Sequence, residues 1–248
     1  MTALPALLPD DPEAPFPPVG QALRQPDGLL AVGGDLSPAR LLNAYRHGIF
    51  PWYSQGQPIL WWSPDPRTVF ATDAVKLSSK FRRGLRHSDW TVRADTAFDE
   101  VVEVCARIRR PGQRGTWITR EMQVAYRRLH ALGHAHSFEV FAGETLVGGI
   151  YGVAVGRMFF GESMFSHESG GSKVALAALA WHLHRWGWPL IDAQVENPHL
   201  LSLGARSWPR DAFVARVAEM VALEGLPGRL STRVGDWPAR QLAGLLPD

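Results

Sequence analysis

HAHSFEVFAGETLVGGIYGVAVGRMFFGESMF, residues 134–165, holds three runs rich in Val, Ile, Phe and Tyr with no helical spacing between them. The runs are Ala135 to Phe141, Thr145 to Val155 and Arg157 to Phe165. Ala-Gly-Glu separates the first two and Gly156 the last two. Connections this short only allow a strand to fold back on its predecessor, so the stretch predicts an antiparallel meander.

Upstream, the pattern gives a strand at Thr68 to Ala71, a basic helix from Ser78 to His87, a strand at Thr91 to Ala94 and a helix from Ala97 to Arg109. A loop at 110–115 then leads to a helix capped by Thr119 that runs to Leu132. Downstream come a long helix from Gly171 to Trp186, an apolar strand from Pro189 to Val195, a short helix at His199 to Leu203 and a helix from Asp211 to Leu223. The tail after Gly225 reads as weakly structured. Helices, meander, helix and strand in this order indicate an α+β fold with a mixed sheet. Residues 1–66 differ in being rich in Pro, Gly and Trp, with one helix from Pro38 to His47, started by Ser37 and stopped by Gly48. Asp65-Pro66 marks the expected boundary between this small N-terminal domain and a larger domain at 67–248.

The composition is that of an ordinary globular chain: 248 residues, 46% hydrophobic, net charge +2. Met1 to Pro9 has no charged leader, and no apolar run reaches membrane-spanning length, so the chain is expected to be cytoplasmic. The single cysteine, Cys105, rules out an internal disulfide and reads as a small core residue. Charge is uneven. Acids lead at Asp10, Asp11 and Glu13, whereas Lys76 to Arg128 is dominated by Lys and Arg, a stretch on which a polyanion can dock.

Three places can carry chemistry. Glu162 ends one apolar strand, and Asp192 and Gln194 end another, on one face if the strand alternates. Convergent, partly buried carboxylates suit proton transfer or cation recognition, although buried polar groups often only satisfy one another. Trp52, Trp61, Trp62 and Trp117 form either an aromatic platform or simply core. Lys80, Arg83 and Arg86 fall along one side of the basic helix, with Phe81 and Leu85 as its buried pair. No Walker loop or dinucleotide fingerprint is present. The pairs His134/His136 and His182/His184 lack a third ligand nearby, so neither metal nor other cofactor is expected.

Together these blocks strongly resemble the leucyl/phenylalanyl-tRNA-protein transferases. The resemblance rests on Leu30-Ala-Val-Gly-Gly-Asp-Leu36, Phe50-Pro-Trp52, Leu60-Trp-Trp-Ser-Pro-Asp-Pro-Arg67, Thr116-Trp-Ile-Thr119, Gly133-His-Ala-His-Ser137, Leu146-Val-Gly-Gly-Ile-Tyr-Gly152, Gly161-Glu-Ser-Met-Phe-Ser166 and Leu190-Ile-Asp-Ala-Gln-Val195. It spans roughly Phe16 to Phe213, with Ile150 where Met is expected and residues 195–199 slightly altered. It implies an acetyltransferase (GNAT)-like C-terminal domain. The activity implied is transfer of Leu, Phe or less well Met from aminoacyl-tRNA to proteins with N-terminal Arg or Lys, marking them for N-end-rule degradation. It further implies Asp192 and Gln194 as the central pair with Glu162 beside them, and Ile150, Met164 and Ile191 in the aminoacyl pocket. Trp52 and Trp117 would flank the adenosine, and Lys80, Arg83 and Arg86 would meet the acceptor stem. A monomer is the default. The competing expectations are an acyl-CoA N-acyltransferase, whose phosphate-cradling turn is not matched by His167-Glu-Ser-Gly-Gly-Ser172, and a noncatalytic RNA-binding module.

Overall fold

A computed structural model describes residues 4–108 and 117–245. The expected loop at 110–115, with Arg109, Arg110 and Arg114 of the basic stretch, lies outside the described residues. The chain runs β1 (Ala6–Leu8), β2 (Leu29–Gly33), α1 (Pro38–Arg46), β3 (Phe50–Pro51), β4 (Leu60–Trp62), β5 (Arg67–Ala71), α2 (Ser79–Leu85), β6 (Thr91–Ala94) and α3 (Phe98–Arg107). It continues through α4 (Arg120–Ala131), β7 (Ala135–Ala142), β8 (Thr145–Val155), β9 (Met158–Ser166), α5 (Gly171–Arg185), β10 (Leu190–Gln194), α6 (Pro198–Ser202), β11 (Arg206–Trp208) and α7 (Arg210–Val221). It ends in α8 (Ser231–Val234), β12 (Trp237–Pro238) and α9 (Leu242–Leu245).

The strands form a four-stranded sheet in the order β1-β2-β4-β3 and an eight-stranded sheet in the order β11-β5-β10-β9-β8-β7-β6-β12. The fold is therefore α+β with a mixed sheet. Helix starts follow local chemistry: Ser37, Ser78 and Thr119 each accept a hydrogen bond from the backbone N–H three residues on, those of Arg40, Phe81 and Met122.

The meander β7-β8-β9 is antiparallel throughout and forms the middle of the large sheet. Its period of two is visible in the core. Tyr151 and Val153 pack into one apolar cluster with α3 and α4, while Ile150 and Ala154 pack into a second with α5. Both faces are thus covered, which is why β7 and β8 are buried almost residue by residue. The helix α5 crosses from β9 to β10, the parallel pair of the large sheet among the described strands.

Close approach of α5 to β8 requires glycine. A Cβ on Gly148 would stand 2.4 Å from the carbonyl carbon of Gly171 and 2.5 Å from its Cα. With backbone on both sides there is no side chain to give way, so Gly148→Ala should cost about 1–3 kcal/mol or more. A thermal melt of that variant checks it, and an unchanged midpoint would contradict the packing.

The tail after Gly225 is not weakly structured. Strand β12 pairs with β6, Trp237 stacks on Trp181 of α5 at 5.1 Å, and Leu230 and Leu242 are buried. The reason is that α5 is apolar nearly all round, so the sheet covers one side and the tail is needed to cover the other. The edge strand β11, on β5, is likewise absent from the local pattern.

Candidate active site

Strands β9 and β10 pair at only two registers, Ile191 with Phe159 and Asp192 with Phe160, and then part. In the gap lies a pocket of about 880 Å³. Phe70, Ile150, Met164 and Ile191 contribute apolar wall, Trp52 and Trp117 join from outside the meander, and Glu162, Asp192 and Gln194 supply polar groups. All eight residues expected at the catalytic and aminoacyl positions therefore line one cavity. Lys80, Arg83 and Arg86 do not line it and stay exposed on and just after α2. Of the other tryptophans, Trp61 is fully buried and donates to the Gly33 carbonyl at 2.9 Å, so it is core. Trp62 donates to the Trp52 carbonyl and its ring meets that of Trp52 at 5.7 Å, steadying the pocket wall.

The carboxylates have different surroundings. Asp192 is completely buried against an equally buried Arg67, whose Nε and Nη2 reach Oδ1 at 2.8 Å and Oδ2 at 2.6 Å in a two-pronged pair. The guanidinium lies between the rings of Phe50 and Phe213, at 4.7 and 4.6 Å from their centroids, and its Nη1 donates to the Gly48 carbonyl at 2.9 Å. Gly48, at φ +70, ends α1, so the N-terminal segment fixes this cation.

Strand alternation does not by itself bring Asp192 and Gln194 together. A bulge intervenes, with Asp192 opposite Val69 and Gln194 opposite Thr68, and Gln194 adopts φ +61. Asp192 reaches Gln194 through the main chain, accepting the Gln194 N–H at 2.9 Å. The Gln194 side chain instead donates from Nε2 to Oε1 of Glu162 at 2.9 Å. Since a carboxylate only accepts, Nε2 must face Glu162, leaving Oε1 as the amide atom available to a substrate.

Glu162 also receives the hydroxyls of Tyr45 at 2.8 Å and Tyr126 at 2.7 Å, which are themselves 2.8 Å apart. Burial pushes its carboxyl up to about 7, against the opposing hydrogen bonds from the tyrosines. Both tyrosines are held well above the usual phenol range, first by burial and next by the charge of Glu162.

Sequence reasoning gave no role to Arg67, Tyr45 or Tyr126. Arg67 closes a recognised block, but its partner is far along the chain. The tyrosines sit at core spacing on α1 and α4, with Leu41 and Leu42 beside one and Met122 and Leu129 beside the other, so only their hydroxyls distinguish them from packing residues.

A second polar network lies outside the pocket. Asp95 accepts from His136 Nδ1 at 2.8 Å and from the N–H groups of Ser137 and Leu230 at 3.0 and 2.7 Å, tying the tail to the sheet. His182 is buried among Trp181, Trp186 and Trp237, and burial lowers it to about 4. No group of His, Cys, Asp or Glu among the described residues could hold a metal ion, and no described helix is long and apolar enough to cross a membrane.

Residues 69–218 match the family model for leucyl/phenylalanyl-tRNA protein transferase, and residues 34–65 match that for its N-terminal domain. A leucyl/phenylalanyl-tRNA–protein transferase of Xanthomonas axonopodis pv. citri (strain 306) is 70% identical over 96% of each chain. One from Xylella fastidiosa (strain 9a5c) is 60% identical over 98% of this chain and 100% of its own. Among solved structures, L-PGS from Bacillus licheniformis shares 10% identity, with a TM-score of 0.36 over 78% of this chain and 73% of its own.

Proposed function

The chain belongs to the leucyl/phenylalanyl-tRNA protein transferase family, and from that premise we propose that it is an aminoacyltransferase carrying Leu or Phe, and less well Met, from aminoacyl-tRNA to the α-amino group of proteins with N-terminal Arg or Lys. Such transfer would mark those proteins for N-end-rule degradation, and it belongs in the cytoplasm, where charged tRNA is found. The observation that carries the reading is the single cavity in which an apolar wall meets Gln194 and Glu162.

The reaction suits these residues. An aminoacyl ester is already activated, so an amine held against its carbonyl forms the amide without ATP or acyl-enzyme. Nitrogen bonds to the carbonyl carbon, the ribose oxygen leaves, and one proton passes from amine to ribose oxygen. In our reading Gln194 Oε1 accepts an N–H of the attacking amine and orients its lone pair. Glu162, held near 7, takes the proton and returns it to the ribose oxygen. Asp192, in this reading, does not act on the substrate directly. Paired with Arg67 and bonded to the Gln194 N–H, it fixes the bulge that aims Gln194.

Nor does Asp192, already matched by Arg67, supply the charge that selects a cationic acceptor. Glu196, exposed on the pocket rim, is better placed for the Arg or Lys side chain. Ile150, opposite Met164 in the β8-β9 ladder, narrows the wall for the aminoacyl side chain, and Trp52 and Trp117 offer faces to the terminal adenosine. Lys80, Arg83 and Arg86 meet the acceptor stem, mostly through phosphates. We also assign residues 1–66 to the small N-terminal domain and the remainder to a GNAT-like domain, a reading supported by the meander, the α5 crossover and the parting of β9 and β10. No cofactor enters this chemistry, and one chain holds every residue it needs, so we treat the protein as a monomer.

The acyl-CoA alternative fares poorly, since the N–H of Ser172, at the start of α5, already donates to Ser166 Oγ at 2.8 Å. The deciding experiment is transfer of labelled leucine from Leu-tRNA, without ATP, to a model protein beginning with Arg and to one beginning with Ala. Label on the Arg protein alone is expected; tRNA binding without transfer to either would favour the noncatalytic RNA-binding reading.

A further inference from the structure

We propose that Lys173, next to the pocket-lining Ser172 on the first turn of α5, is an anion-binding point that, together with His199 of the pocket lining, holds a phosphodiester of the single-stranded 3′ end of the RNA donor. This rests on the reading of the donor as aminoacyl-tRNA and adds to it a contact between the basic helix and the reacting end.

The exposed cations of α2 lie outside the pocket, so they leave the last nucleotides of a bound RNA without a guide. The first turn of α5 bridges that gap. The Lys173 ammonium stands 5.7 Å from the centroid of Phe81, the apolar ring of α2, and that ring in turn packs so closely on Gly170 that a Cβ there would be 2.3 Å from it. On the other side, Ser172 lines the pocket, and so does His199 of α6. The charge of Lys173 is felt by His199, whose imidazole is lowered by burial and then by that ammonium. A neutral imidazole still donates one N–H.

Lys173 thus stands beside the apolar ring of the basic helix and next in sequence to a residue of the pocket lining. Lys173 is half-buried and has no ion pair among the described residues. A confined ammonium of this kind favours a fixed anion, and an RNA strand entering the pocket brings one phosphodiester per nucleotide.

The test compares two donors, Leu-tRNA and 2′(3′)-O-leucyl-adenosine, which has no phosphate. Lys173→Ala should raise KM for Leu-tRNA roughly tenfold and reduce the slope of log affinity against log salt by about 0.7, one phosphate contact on a single strand. KM for leucyl-adenosine should stay at the wild-type value, and Lys173→Arg should restore most of the tRNA affinity. An unchanged Leu-tRNA KM and salt slope would overturn the proposal, as would an equal loss with both donors, which would mean a packing role. Failure of the wild-type enzyme to use Leu-tRNA would instead reject the donor assignment itself.

Discussion

Arg67→Met is expected to lose about 3–5 kcal/mol of stability and nearly all transfer activity. Breaking a buried ion pair from one side leaves the other charge without solvent or partner, and that desolvation outweighs any gain from the new apolar side chain. Asp192 is fully buried, so it cannot turn to water for relief. The same change frees the Gly48 carbonyl and opens the space between Phe50 and Phe213. Urea unfolding at neutral pH measures the loss. Adding Asp192→Leu separates the two roles, because an apolar pair of similar volume should recover much of the stability. Activity should remain absent in the double variant, since nothing then accepts the Gln194 N–H. Wild-type stability in Arg67→Met would refute the assignment of this pair as the anchor of the bulge.

Glu162→Gln should remove the rise in transfer rate near pH 7 and lower kcat by about a hundredfold or more, the usual range for a lost acid–base group. The acceptor's α-amino group, which titrates near 8, is untouched and should then set the only remaining rise. A midpoint that moves from about 7 toward about 8 is the expected signature. Retention of the limb near 7 would exclude Glu162 as the proton acceptor.

Stability should change in a linked way. The carboxyl is raised from 4.5 to about 7 in the folded protein, so the folded state keeps a proton that the unfolded chain has released. Its contribution is full below about 4.5 and is lost as pH rises through about 7, on the order of 3 kcal/mol in total. Glutamine is neutral at every pH, so Glu162→Gln should be more stable than wild type at pH 8 and similar to it at pH 4. Glu139, also pushed by burial to about 7, gives both proteins the same background trend. If the variant were equally destabilised at both pH values, the ring of Tyr45, Tyr126 and Glu162 would not hold a proton.

Much of the fold was legible locally. The meander follows from apolar runs separated by Ala-Gly-Glu and Gly156, and α1, α2 and α4 from the caps Ser37, Ser78 and Thr119. These signals act over a few residues, where hydrogen bonding and side-chain alternation decide the conformation. The family blocks also named Glu162, Asp192 and Gln194, and the cavity brings all three together.

The tertiary structure decided how each of them is held. Arg67 and Asp192 are 125 positions apart, and Tyr45 and Glu162 are 117 apart, so no local pattern could pair them. Alternation put Asp192 and Gln194 on one face and missed the bulge between them, which sets the φ of Gln194 at +61 and turns Asp192 to its main chain. The tail was misread for the same reason: its few apolar residues gain order only because α5 has a side that the sheet leaves uncovered. Sequence by itself determined most of the strands and helices and the family's candidate groups, because those depend on neighbours. Which carboxyl is charge-paired and which has its pKa pushed up depends on burial and on partners brought from distant parts of the chain, and only the packed structure supplies both.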